Sequence, residues 1–85
     1  MPKTVFSDAY RELLRRIILL RKTHRVSQVE LARRLGRPQP FVSYLERGER
    51  RIDVVEYVAV VKAIGGDPVT EFASLVAVLP DEVSI

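Results

Sequence analysis

Glycine and proline break this chain into short pieces. Gly36, Pro38, Gly48, the pair Gly65-Gly66, Pro68 and Pro80 interrupt it. Between these breakers, apolar residues recur at spacings of three and four, the period of a helix with one buried face. Ser7 or Asp8 is placed to cap a first helix running to about His24, with Tyr10, Leu13, Leu14, Ile17, Ile18 and Leu20 on one stripe. Ser27-Gln28-Val29-Glu30 reads as a capping box, Ser27 accepting from the Glu30 amide while the Glu30 carboxylate reaches back. The helix it opens turns Val29, Leu31, Ala32 and Leu35 inward, and Gly36 stops it. A third helix spans about Gln39 to Arg47 and ends at Gly48. Asp53 caps a fourth through Ala63, with Val54, Val55, Val58, Val61 and Ala63-Ile64 on the helical period. Val58 to Val61 is rich in β-branched residues, but caps at both ends favour helix over strand. Asp67-Pro68 is an N-cap followed by proline at the first helical position, opening a fifth helix to about Leu79. The expected fold is all-α: a tail at 1–7, one compact five-helix domain at 8–79 and a tail at 80–85, with no internal repeat.

Size supports a single core. The chain has 85 residues, 47% of them hydrophobic, and no cysteine. That composition excludes a disulfide framework and thiolate metal sites. Small domains without such staples rely on well-packed helices or on oligomerisation. Apolar runs such as Ile17 to Leu20 are far short of the roughly 20 residues that span a bilayer. The first eight residues lack the apolar stretch of a secretory signal. The expectation is a soluble, cytoplasmic protein.

The net charge of +3 conceals an asymmetry. Residues 11–51 hold twelve Arg and Lys against four Glu, a net of +8, and eleven of the twelve cations are Arg. Residues 52–85 hold one Lys against six acids, a net of −5. Arginine is the planar cation suited to phosphate forks and guanine edges. A basic block beside an acidic one therefore reads either as a polyanion-binding surface with a different task at its other end, or as ordinary solvated charge.

The stretch from Gln28 to Arg47 discriminates between the two. Two short helices joined by a turn with glycine have the layout of a helix-turn-helix. Counting from Gln28, alanine stands fifth (Ala32), glycine ninth (Gly36) and a β-branched residue fifteenth (Val42). Ala32 faces the crossing helix, where a larger side chain would push the pair apart. Gly36 allows a turn with positive φ. Val42 packs back onto Ala32, and Leu31, Leu35 and Leu45 complete a small core. At about 100° per residue, Val42 and Leu45 face inward on the third helix, while Pro40, Ser43, Tyr44 and Arg47 gather opposite. Gln39 stands at the helix N-terminus and Phe41 on the flank. Such an outward face suits base edges in a major groove, the alternative being a plain amphipathic helix whose Tyr44 covers a neighbour.

The stretch SQVELARRLGRPQPFVSYLERGERRIDVVEY resembles the XRE family, the Cro and phage-repressor type of DNA-binding domain. The resemblance covers about residues 10–79. Its most specific parts are Ser27-Gln28, Glu30-Leu31-Ala32 and Glu46-Arg47-Gly48-Glu49-Arg50. It implies that the third helix enters the major groove with Gln39, Pro40, Ser43 and Tyr44 facing bases. Gln28, at the start of the second helix, would bind a phosphate. Arg47 and Arg50 would grip the backbone, joined by Arg37, Arg51 and the flanking Phe41. The chain departs from the family pattern by carrying Pro38 at the recognition-helix cap, Pro40 where a small residue is common, and Tyr44 near the helix centre. The resemblance also implies a bridge between Arg21 and Glu46, against the alternative of Arg21 as one more phosphate-binding cation.

Catalysis finds little support. His24 is the one histidine, explained by C-capping, and no acids or histidines have metal spacing. No metal, cofactor or enzymatic activity is expected. The first helix is basic and amphipathic, but its apolar face is needed for the core, so no membrane role is expected either. The expected function is a transcriptional regulator, a repressor binding double-stranded DNA at a near-palindromic operator as a homodimer. Val69, Phe72, Leu75, Val76 and Leu79 form the expected dimer contact, against the alternative that they close the monomer core. A second function class is an interaction module such as the antitoxin of a toxin–antitoxin pair, with a protein partner. An RNA-binding role lacks the aromatic stacking surface it needs.

Overall fold

A computed structural model describes residues 7–85, so the expected tail at 1–7 lies outside the described residues except for Ser7. Five helices follow in order: α1 (Asp8–Thr23), α2 (Gln28–Leu35), α3 (Gln39–Glu46), α4 (Val54–Ile64) and α5 (Pro68–Val78). No strand occurs among the described residues. α2 packs on α3 and on α4, while α1 runs across α3, α4 and α5 and ties the two ends of the domain together. The core joins Ile17 of α1, Leu31 and Ala32 of α2, Val42 and Leu45 of α3, and Tyr57, Val60, Val61 and Ile64 of α4, with Val26 between α1 and α2.

The helix starts follow their caps. The Ser7 hydroxyl accepts from the Tyr10 amide at 3.2 Å, Ser27 from Glu30 at 3.0 Å and Asp53 from Glu56 at 2.7 Å. The second half of the capping box forms at Asp53, whose amide donates to the Glu56 carboxylate at 3.0 Å. It does not form at Ser27. There the Glu30 carboxylate turns forward to Arg33 and Arg34, whose Nε atoms donate to it at 2.9 and 2.8 Å. Two cations one turn ahead outcompete a single neutral amide, and they hold the Glu30 carboxyl down at about 2.

The valines show where periodicity alone misplaces a side chain. Val29, Val54 and Val55 are exposed rather than inward. In α4 the buried stripe is Tyr57, Val60, Val61 and Ile64, which leaves Val54 and Val55 to follow only the cap. In α2, Val29 stands more than 90° from the mean direction of Leu31, Ala32 and Leu35 at about 100° per residue. Two-turn helices carry too few residues for a stripe to be read without this arithmetic.

Three turns set the angles between helices. Gly36 closes α2 at φ +68°, and a Cβ there would meet nothing within 4 Å, so the requirement is conformational rather than spatial. Gly66 is the reverse case. A Cβ there would sit 3.0 Å from a Leu20 methyl and 3.2 Å from one of Val61, so its bareness lets α1 lie close to the α4–α5 turn. After α1, Arg25 takes the left-handed conformation at φ +58° that glycine usually fills. The Arg25 amide donates to the Lys22 carbonyl and the Val26 amide to the Arg21 carbonyl, both at 3.0 Å.

Candidate nucleic-acid interface

α3 is presented by α2 through a three-residue turn, Gly36 to Pro38. The Arg37 amide donates back to the Ala32 carbonyl at 3.0 Å, and Pro38 supplies an extended N-cap without a side-chain hydrogen bond. Ala32 and Val42 are both almost fully buried where the two helices cross. Val42 and Leu45 anchor α3 inward. That rotation leaves Gln39, Pro40, Tyr44 and Arg47 exposed and Ser43 half-buried on the outer face. Tyr44 keeps 46% of its surface open to solvent.

A buried ion pair holds α3 from behind. Arg21 Nε donates to Glu46 Oε2 at 2.6 Å, and a terminal nitrogen of the same guanidinium donates to Oε1 at 2.9 Å. The other terminal nitrogen donates to the Val26 carbonyl at 2.9 Å. The two side chains are only 10% and 7% exposed. Arg21 is thus an internal tie between α1 and α3, not a surface cation free for phosphate.

Gln28 is engaged as well. Its Nε2 donates to Glu46 Oε1 at 2.9 Å, and its Oε1 accepts from Gln39 Nε2 at 3.0 Å. This link is additional to the phosphate contact that the family resemblance implies for Gln28. A signal was present in the helical position of Gln28, one residue after the Ser27 cap, and in the pairing of Glu46 with Arg21.

The arginines around α3 are arranged on aromatic rings and beside carboxylates. Arg37 and Arg50 lie over the Phe41 ring at 5.0 and 4.8 Å from its centroid. Phe41, half-buried against the core, is their platform. Arg47 lies over Tyr44 at 5.3 Å and donates to Glu49 at 3.1 and 3.2 Å. Arg50 grips Glu56 with two bonds at 3.0 and 2.7 Å. That fork, helped by the Asp53 amide, holds the Glu56 carboxyl at about 2. Arg51 lies 4.4 Å over the Tyr10 ring of α1, whose hydroxyl accepts from the Ile52 amide at 2.8 Å. The counter-ions Glu49 and Glu56 were not anticipated. Both ion pairs are solvent-accessible, where such pairs contribute little and exchange readily for another anion.

The α5 residues divide between two roles. Leu75 is buried and closes the core of the monomer, a departure from its expected place in a dimer contact. Its position on α5 points it at α1 and α4, and Leu79 at the helix end is half-buried. Val69, Phe72 and Val76 are exposed. With Leu13, Ile52, Val54, Tyr57 and Val58 on the facing elements, Val69 and Phe72 line an open apolar groove of about 510 Å³ between α4 and α5.

Among the described residues, no group of histidines and acids is placed to hold a metal, and no helix is long and apolar enough to cross a membrane.

The comparisons with known proteins agree with this geometry. A family model for a helix-turn-helix domain matches residues 12–75. A solved structure of an XRE-family like protein from Pseudomonas syringae pv. tomato str. DC3000 superimposes with a TM-score of 0.83 at 42% sequence identity. The match covers 86% of this chain and 89% of that one. None of the curated proteins matches the chain. With the α2–turn–α3 unit, its buried brace and these two matches in place, the chain belongs to the helix-turn-helix family, in its XRE-like branch.

Proposed function

We propose that this protein is a sequence-specific DNA-binding repressor that docks α3 in the major groove of a near-palindromic operator as a homodimer. The observation that carries the reading is the outer face of α3. An exposed tyrosine, an amide and an arginine stand on a helix whose opposite face is locked into the core.

In this reading Gln39, Pro40, Ser43 and Tyr44 face base edges, where an amide suits adenine and apolar atoms suit the thymine methyl. Arg37, Arg47, Arg50 and Arg51 meet phosphates, with Phe41 fixing the direction of two of them. Glu49 and Glu56 pair with Arg47 and Arg50 in the free protein and release them to phosphate on docking. One domain reads few base pairs. Two copies place their α3 helices in successive major grooves about 34 Å apart, and the exposed Val69, Phe72 and Val76 supply the contact between copies.

The test is a gel shift on the protein's own promoter with a salt titration, after selection of bound fragments from a random oligonucleotide pool. Affinity should fall steeply with salt, as expected when several phosphates are neutralised. Tyr44→Ala should change sequence preference, whereas Arg47→Ala should weaken all sequences alike and reduce the salt slope by about one. Selected sites without symmetry, or affinity indifferent to salt, would count against the proposal. The α4–α5 groove favours one further reading, an antitoxin-like module whose groove takes a protein partner. A partner that co-purifies and leaves with Phe72→Asp, in a protein that remains monomeric, identifies that case.

A further inference from the structure

Tyr10 joins α1 to the loop between α3 and α4, which carries two of the arginines placed above on phosphates. The loop is held at its start by the end of α3, where the Glu49 amide donates to the Tyr44 carbonyl at 2.9 Å. It is held again at its far end by two side chains from different helices. The Ile52 amide donates to the Tyr10 hydroxyl at 2.8 Å, and the Asp53 amide to the Glu56 carboxylate at 3.0 Å. Arg50 and Arg51 are the two residues between these fixed points. Tyr10 is buried, so packing holds its ring in place, and the Arg51 guanidinium lies over that ring at 4.4 Å. The Ile52 side chain packs against the core, but apolar contact is non-directional and lets the backbone turn about it. A hydrogen bond to a buried hydroxyl is directional and opposes that turn.

Tyr10 and Arg21 lie eleven positions apart, three turns of α1, and both are buried on its inward side. Arg21 fixes α3 through Glu46, and Tyr10 fixes the loop that follows α3. We infer that the Tyr10 hydroxyl is a positioning residue for backbone binding: it sets the Arg50–Arg51 segment in its phosphate-meeting conformation before DNA arrives. The inference rests on the proposed docking, with these arginines on phosphates. A loop already ordered in its bound form loses less entropy on docking, so the hydroxyl raises affinity without adding a contact. Phosphates carry no direct sequence information, so the effect is the same on every duplex.

The experiment compares Tyr10→Phe, the Arg50→Ala/Arg51→Ala double variant and the triple variant that combines them, each on a selected duplex and on its single-base-pair substitutions. Phenylalanine keeps the ring, and with it the core packing and the platform under Arg51, and removes only the hydroxyl. Tyr10→Phe should weaken binding about fivefold, by the same factor on every duplex. In the triple variant the hydroxyl has no loop arginine left to position. Its affinity should match that of the double variant, the non-additivity expected of residues acting in series. A general loss of stability would instead weaken the double variant again by the full factor. Preference changed at one base pair, or a Tyr10→Phe effect undiminished without the two arginines, would overturn the inference.

Amide hydrogen exchange in the DNA-free protein tests the tie apart from docking. In Tyr10→Phe the Ile52 amide should exchange at least about tenfold faster, and by a larger factor than the core amides of α4. Equal factors would mean general loosening, and an unchanged Ile52 amide would mean that the tie is absent; either result overturns the inference. A faster Ile52 amide, with the Arg50→Ala/Arg51→Ala variant binding as tightly and with the same salt dependence as the unaltered protein, has a different meaning. The tie then exists, but the placing of these arginines on phosphates fails and the inference fails with it.

Discussion

The two ends of this domain expose opposite kinds of surface. At the α2–α3 end most large apolar side chains are covered, and besides Val29, Pro38 and Pro40 what remains outside is amide, hydroxyl, one tyrosine ring and arginines held by carboxylates. At the α4–α5 end, Val54, Val55, Val69, Phe72 and Val76 lie open beside an apolar groove. The charge follows the same division, basic before residue 52 and acidic after it. A polar face braced from behind holds its outward side chains in one orientation. An apolar face without a brace gains from being covered, and it tolerates variation in how it is covered.

Breaking the brace should have the largest effect. Arg21→Ala leaves Glu46 buried and uncompensated, which costs about 3 kcal/mol; a thermal or urea melt should show it directly. An unchanged melting temperature would remove the distinction between the two ends. Gly36→Ala comes next, at about 1 kcal/mol, because alanine must hold a positive φ there even though space is available. Chemical denaturation of this variant measures how much the short turn contributes. Asp53→Ala should also cost about 1 kcal/mol by removing the cap of α4.

The acid side of the comparison is a matter of sign. Glu56 titrates at about 2 in the folded chain against an ordinary 4.5, so the folded state holds fewer protons than the unfolded one. Its contribution is complete above pH 4.5 and is lost as pH falls toward 2. Glu56→Gln should flatten the fall in melting temperature across that window, by a modest amount because the Arg50 side of the pair is open to solvent. The smallest effect on the monomer is expected from Val69→Asp, within about 0.5 kcal/mol for a surface site. The same change should abolish self-association in sedimentation at micromolar concentration. A dimer that survives it would move the contact between copies away from the α5 face.

Much of this was legible before the fold was known, and the particular failures are instructive. Caps are local, so Ser27, Asp53, Gly36 and Asp67-Pro68 announced the helix boundaries to within a residue or so. The crossing of Ala32 with Val42 followed from spacing. What spacing could not supply was the competition among partners. Glu30 had a choice between an amide behind it and two arginines ahead, and the Gln28 amide meets a carboxylate 18 positions away. Such choices depend on residues brought near by the fold, as Glu46 is brought to Arg21 across 25 positions. Leu75 was misassigned for a related reason. A stripe on a terminal helix does not reveal which of its members α1 already covers.

The clasp made by Arg21 has one more consequence. The same side chain holds the Val26 carbonyl and the Glu46 carboxylate, while its own carbonyl receives the Val26 amide. The tilt of α3 is therefore dictated by a helix outside the two-helix unit that carries the motif. Residues 28–47 grafted into a foreign scaffold would carry their outward side chains along and leave their aim behind. The portable unit for redesign begins no later than the turn of α1 that bears Arg21.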